Sequence, residues 1–224
     1  MRYLLIFWIS SVLLLSSEAE ELYKKACISC HSDSGETNQE IKLLVKPRKL
    51  DRTILNQKQS FAIIKEGAHF WGAHSDIMPA FKYLLSDKQI YSLAHYVSQT
   101  FNKNIEIKTR DLLSQSTPLS TQELQNRMLV GEKIFKKSCA LCHGIKGDAV
   151  SEYTKNSQGR HAFIYPYNLT RTLLNENQIF LFAKYGGKFW GTDKADMPAW
   201  GKRYNDIELK SVAHYIQNRI KKLD

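Results

Sequence analysis

The sequence predicts an all-α chain built of two tandem helical units, and three observations carry that expectation. Sliding the 224 residues against themselves by 119 lays 47–97 over 166–216 without a gap, with 21 of 51 positions identical. Self-similarity over that length marks an internal duplication. Apolar residues recur at helical spacing near the end of each copy, and each such stripe is preceded by a capping box. At the head of each copy stands a matched pentapeptide, Cys27-Ile-Ser-Cys30-His31 and Cys139-Ala-Leu-Cys142-His143.

The first element belongs to neither unit. Arg2 is followed by an apolar run from Tyr3 to Leu15 and then by Ser16 to Ala19, the order of a secretory signal. That run is shorter than the ~20 residues a bilayer-spanning helix needs. Residues 1–19 are therefore expected to be a signal peptide or N-terminal anchor, and the mature chain to be periplasmic. A cut after Ala19, with Ser17 at minus three, suits signal peptidase but shortens the first opening helix. The expectation is a cut nearer Ser16, or an uncleaved anchor that associates the chain with the membrane. The formal net charge of +10 asks for an acidic partner, and export makes nucleic acid a poor one.

The first unit is expected over 20–101, a linker over 102–120 and the second unit over 121–224. Leu22, Tyr23 and Ala26 line an opening helix that runs into Cys27; Ile134 and Phe135 do the same ahead of Cys139. The cysteines match at a shift of 112 instead of 119, so the second unit carries seven extra residues, placed in the loop 144–165. Ser86 with Gln89 caps a closing helix bearing Ile90, Leu93, Ala94 and Val97. Asn205 with Glu208 caps its counterpart, bearing Leu209, Val212, Ala213 and Ile216. The polar linker contains Pro118 and ends in a third box, Ser120 with Glu123.

The pentapeptides carry the chemistry. Cys-x-x-Cys-His is the attachment pattern of c-type haem: two thiols one helical turn apart can add to the two vinyl groups of one porphyrin. The adjacent histidine then lies under the iron. Zinc pairs usually fall within about 15–20 residues of each other, whereas more than a hundred separate Cys30 from Cys139. One pentapeptide could be a thiol redox pair; two, with no cysteine left over, favour haem. Cys27, Cys30, Cys139 and Cys142 are thus the expected attachment residues for two haem c groups, with His31 and His143 as iron ligands.

The sixth ligand follows by elimination. Beyond Met1 the chain has three methionines, and two of them, Met78 and Met197, occupy matched Met-Pro-Ala turns roughly 50 residues after their histidines. Met128 has no counterpart. His69 and His74 align with Lys188 and Asp193, and His161 sits in the insertion. His95 and His214 match but flank an apolar stripe, and read as groups near the site or on the surface. Trp71 and Trp190 either pack on porphyrin or donate to a propionate, with packing preferred. Arg52 and Arg171 either pair with propionates or are solvated.

Paired Cys-x-x-Cys-His motifs, each followed by Met-Pro-Ala and a closing helix ending Ala-His-Tyr, resemble tandem class I cytochromes c, as in the di-haem cytochrome c-four group. Gly131 to Phe135 is similar to that family's opening helix, with Ala19 and Tyr23 at the same places in the first copy. The resemblance implies two cytochrome domains, each wrapped around one haem, in a periplasmic one-electron carrier. Its partners would be a redox donor and an acidic redox acceptor such as a terminal oxidase or reductase. The alternative is a cytochrome subunit of a dehydrogenase complex, for example one oxidising sulfur compounds. A di-haem enzyme fits less well: peroxide reduction wants an open iron, and all four cysteines are committed to thioethers, leaving none as an axial ligand.

Overall fold

The computed structural model describes residues 18–38, 40, 46–73, 78–101, 120–150, 166–191 and 197–222. Residues 1–17 of the expected leader, 102–119 of the expected linker, His74 and residues 151–165, with His161, lie outside the described residues. Among the described residues every regular element is helical.

The first unit has an opening helix α1 (18–26), the short α2 (Ile28–His31), a middle helix α3 (Gln57–Glu66) and the closing α4 (Asp87–Phe101). The second repeats them as α5 (Thr121–Ile134), α6 (Ala140–His143), α7 (Glu176–Phe189) and α8 (Asp206–Tyr215). All three capping boxes expected from the sequence form, at Ser86/Gln89, Ser120/Glu123 and Asn205/Glu208. The sequence reading missed a further matched pair that opens the middle helices, Asn56/Gln59 and Asn175/Gln178. Gly186 (φ 75°, ψ 169°) breaks α7, so its first segment ends where α3 ends, before Gly67 (φ 78°, ψ 159°).

In each unit the opening helix lies across the closing one. Tyr23 meets Tyr96 at 5.5 Å between ring centroids, and the matching Phe135 meets Tyr215 at 5.5 Å. A Cβ on Gly131 would sit 2.0 Å from the Ser211 carbonyl oxygen, so α5 and α8 touch backbone to backbone there. The first unit carries Ala19 at that place, itself only 2% exposed. The stripe residues Ile90, Leu93, Ala94, Leu209, Val212 and Ala213 are all buried, each larger one contributing about 1.5–3 kcal/mol. Two separate cores result, one per unit.

The units face each other through a contact that repeats itself under the 119-residue shift. Gln59 Nε2 donates to Gln178 Oε1 and Gln178 Nε2 to Gln59 Oε1, both at 2.8 Å. The second hydrogens go to Leu173 and Ile54 carbonyls across the boundary, and each Oε1 also accepts from its own Asn56 or Asn175 amide. Every valence of both amides is used, as a buried polar pair requires. Flanking it, the Lys49 amide donates to the Gly191 carbonyl and the Asn168 amide to that of Gly72. A Cβ on Gly72 would lie 2.4 Å from the Asn168 oxygen, so the glycine of each Phe-Trp-Gly stretch is what lets the units approach.

Candidate haem centres

The two pentapeptides are placed alike. The Cys27 carbonyl accepts from the His31 amide, closing one helical turn, and no disulfide joins any of the four cysteines. His31 Nδ1–H donates to the Arg48 carbonyl at 3.1 Å, and His143 Nδ1–H to the Tyr167 carbonyl at 2.9 Å. Positions 48 and 167 correspond in the repeat. That bond fixes the tautomer and leaves the Nε2 lone pair available to a metal. Burial lowers the pKa of both histidines despite the carbonyls' opposing effect, keeping the imidazoles neutral, the form that binds iron.

The thiols do not resemble a redox pair. Burial pushes Cys27 up to about 11 and Cys139 up to about 12, with the neighbouring Cys30 and Cys142 adding to it. Disulfide chemistry wants a depressed thiol pKa. Among the described residues no three of His, Cys, Asp or Glu converge as a metal cluster, whereas structural zinc takes four such ligands.

Each methionine is brought to its unit's core by a tether of its own backbone. The Met78 carbonyl accepts from the Ala68 amide at 3.1 Å and the Met197 carbonyl from the Gly187 amide at 2.9 Å. These donors follow Gly67 and Gly186, which end the middle helices at positive φ. A Cβ on Gly67 would stand 2.9 Å from the Met78 oxygen, and one on Gly186 2.7 Å from that of Met197. Met78 and Cys27 pack on the same core, as do Met197 and Cys139. In each unit, then, the first thiol of the motif and the methionine thioether pack on one apolar core, and the second thiol and the oriented imidazole follow in the same motif, a donor set that fits a covalently attached haem. Met128 packs into the second core from α5.

Other candidates are committed elsewhere. The Trp71 and Trp190 indole N–H groups donate to the Ala62 and Leu181 carbonyls, both at 3.0 Å, so each ring clamps its loop to the preceding helix and no donor remains for a propionate. His95 Nδ1 contacts Gln57 and His214 Nδ1 contacts Glu176, the first residues of the middle helices. Arg171 lies over the Phe70 ring at 4.9 Å, across the unit boundary, and Arg52 is half exposed beside Asp51. Sequence reasoning missed Arg48, Gln59 and Gln178. The glutamines carried a signal, being identical polar residues at matched positions; Arg48 faces Tyr167 in the repeat and carried none.

A family profile described as cytochrome C oxidase, cbb3-type, subunit III matches residues 16–97 and again 126–216. The chain belongs to this family. The cytochrome is thus a di-domain c-type cytochrome of the all-α class I fold, with two covalently bound haem c groups, and its domains are of the electron-transfer kind. Among solved structures, a chain of the reducing HAO-like protein complex of Kuenenia stuttgartiensis is similar at 21% identity, covering 91% of this cytochrome and 96% of that chain with a TM-score of 0.47. A comparison with curated proteins returns no match.

Proposed function

We propose that the protein is a periplasmic electron carrier of cytochrome c-four type with His/Met ligation at both irons. In it Cys27, Cys30, Cys139 and Cys142 would hold the haems, and His31 with Met78 and His143 with Met197 would ligate the irons. The observation that carries this reading is the pair of tethered methionine turns, each hydrogen-bonded through its own carbonyl to the end of a middle helix. When bound, the haem supplies a reversible one-electron couple. The chain's residues do the rest: Arg48 and Tyr167 carbonyls orient the imidazoles, Met78 and Met197 offer neutral sulfur that raises the potential relative to two histidines, and the buried stripes exclude water. A high-potential centre suits acceptance from a quinol-side donor and delivery to an acidic terminal oxidase or reductase.

In the oxidised holo-protein a far-red sulfur-to-iron charge-transfer band is expected, and Met78→Ala and Met197→Ala should each remove about half of it. Met128→Leu should leave it intact. A full band in both alanine variants would overturn the ligation.

Export through residues 1–19 belongs to the same proposal. Because Ala19 is buried in α1, the mature chain is expected to retain it. Intact mass of the exported protein checks this, and a chain beginning at Glu20 contradicts it. One observation favours the second reading, a subunit of a dehydrogenase complex: Tyr83 and Leu84, just after Met78, are 80% and 76% exposed. Such an apolar turn suits a lasting protein contact. Co-purification with a catalytic subunit would select that reading.

A further inference from the structure

The residues that orient the two proximal histidines touch one another across the domain boundary. Arg48 accepts the His31 Nδ1–H through its carbonyl, and its guanidinium carbon lies 4.7 Å from the centroid of Tyr167. Tyr167 accepts the His143 Nδ1–H through its own carbonyl. The same guanidinium also reaches to 5.1 Å from the Phe182 ring, a buried residue of α7. The backbone holds this meeting in place, since the very next residues, Lys49 and Asn168, donate their amides to Gly191 and Gly72 of the opposite domain. From these contacts we infer that Arg48 and Tyr167 form a bridge that couples the two haem centres, joining one proximal histidine to the other.

The chemistry of the position supports a specific role. The repeat places a cation at 48 and an aromatic ring at 167, so the pair is complementary where two identical residues would not be. An arginine over an aromatic face is attracted to the ring's negative centre, more strongly where water is excluded. Electrons tunnel farther through bonded and packed atoms than across a gap, and here only the Arg48–Tyr167 contact separates two hydrogen-bonded segments. The step is a simple exchange: one electron leaves a ferrous iron, which becomes ferric, and reaches the other ferric iron, which becomes ferrous. No proton moves and no bond is made or broken. A charge change at one centre also reaches the other through the histidine hydrogen bonds, so the bridge couples the two potentials as well as the rate.

The inference rests on the electron-carrier reading, and Arg48 and Tyr167 act in it as positioning residues. The test reduces the holo-protein partially by pulse radiolysis and follows the internal re-equilibration between the two haems, alongside an optical redox titration. Arg48→Met and Tyr167→Leu keep the backbone carbonyls that hold the histidines. Each should slow the internal phase severalfold and shrink the interaction between the two potentials. Tyr167→Phe keeps the ring and should restore the wild-type rate. Gln59→Leu loosens the domain contact without touching the bridge, and should leave the rate nearly unchanged. Wild-type rates in Arg48→Met and Tyr167→Leu would overturn the inference, and so would equal slowing by Gln59→Leu, which would make the stack a clamp only. Failure of the wild-type haems to exchange electrons with any protein partner would instead remove the carrier reading. The internal phase needs no partner and would still be measured.

Discussion

At the scale of single residues, the two tryptophans show what sequence can and cannot reveal. Their identity in both copies marks them, and their burial follows from size and apolarity. The destination of the indole N–H does not, because it depends on which carbonyl a loop happens to meet after folding. Ala62 and Leu181 lie nine positions upstream of the rings that bond them, in the middle of helices that offer many carbonyls. The attachment motifs stand out in the sequence for the opposite reason: a vinyl-bearing porphyrin needs two thiols and an imidazole at fixed spacing, so that chemistry is written in consecutive residues. Removing the donor should cost the value of one buried hydrogen bond. Trp190→Phe is expected to lower unfolding free energy by about 1–3 kcal/mol, since Leu181 is left with an unmet carbonyl site in a dry place. The same change at the less buried Trp71 should cost less. Denaturant midpoints of the two variants check the difference, and the haem spectrum should be unaltered in both.

At the scale of elements, the opening and closing helices announced themselves because their signals are local and apolar. The middle helices did not. The buried face of α3 consists of Gln59, Ser60 and Ile64, and a polar face reads as solvent-exposed unless the sequence is known to be folded against a second copy of itself. Their caps, Asn56/Gln59 and Asn175/Gln178, have the same four-residue form as the boxes that were read. Here the glutamine closes the cap and also reaches across the boundary. The ends of these helices matter for the site. Gly186 holds φ 75° and faces the Met197 carbonyl, so a side chain there is opposed by both backbone strain and lack of space. Gly186→Ala is expected to destabilise the second domain by more than ~1 kcal/mol and to weaken the far-red band by displacing the methionine turn. Gly147→Ala serves as comparison. It is also at positive φ, but its added methyl would meet the Ile220 side chain, so it should lower stability while leaving the band in place.

At the scale of the whole molecule, duplication has left two domains alike in fold and unlike in surface. From Glu20 to Ser116 there are 14 basic and 11 acidic residues, a balance of +3; from Thr117 to Asp224 there are 17 and 10, a balance of +7. That excess was countable from sequence, but the lysines that carry it were not. Lys184 is held by Asp206 at 2.7 Å, as Lys65 is by Asp87 at 2.8 Å, so neither is a free charge. The contrast lies on the turn after the methionine. In the first domain Lys82 is paired with Glu66, and Tyr83, Leu84 and Tyr91 are exposed. The matched positions of the second domain are Gly201, Lys202, Arg203 and Lys210, and Tyr185 stands where Glu66 would neutralise them. A hydrogen bond of 2.7 Å between Ser138 and Tyr204 ties this cationic turn to the residue before Cys139. A field of that sign beside the attachment site accelerates encounter with an acidic partner and is screened as salt rises. Reversing Lys202, Arg203 and Lys210 together is therefore expected to slow bimolecular electron transfer to an acidic redox protein at low ionic strength and to flatten its salt dependence. Reversing Lys65, Lys82 and Lys88 should do much less, because these residues lie on the first domain and not on the cationic turn of the second. Stopped-flow rates measured across an ionic-strength series decide the matter, and equal effects from the two sets would show that the second domain does not steer docking.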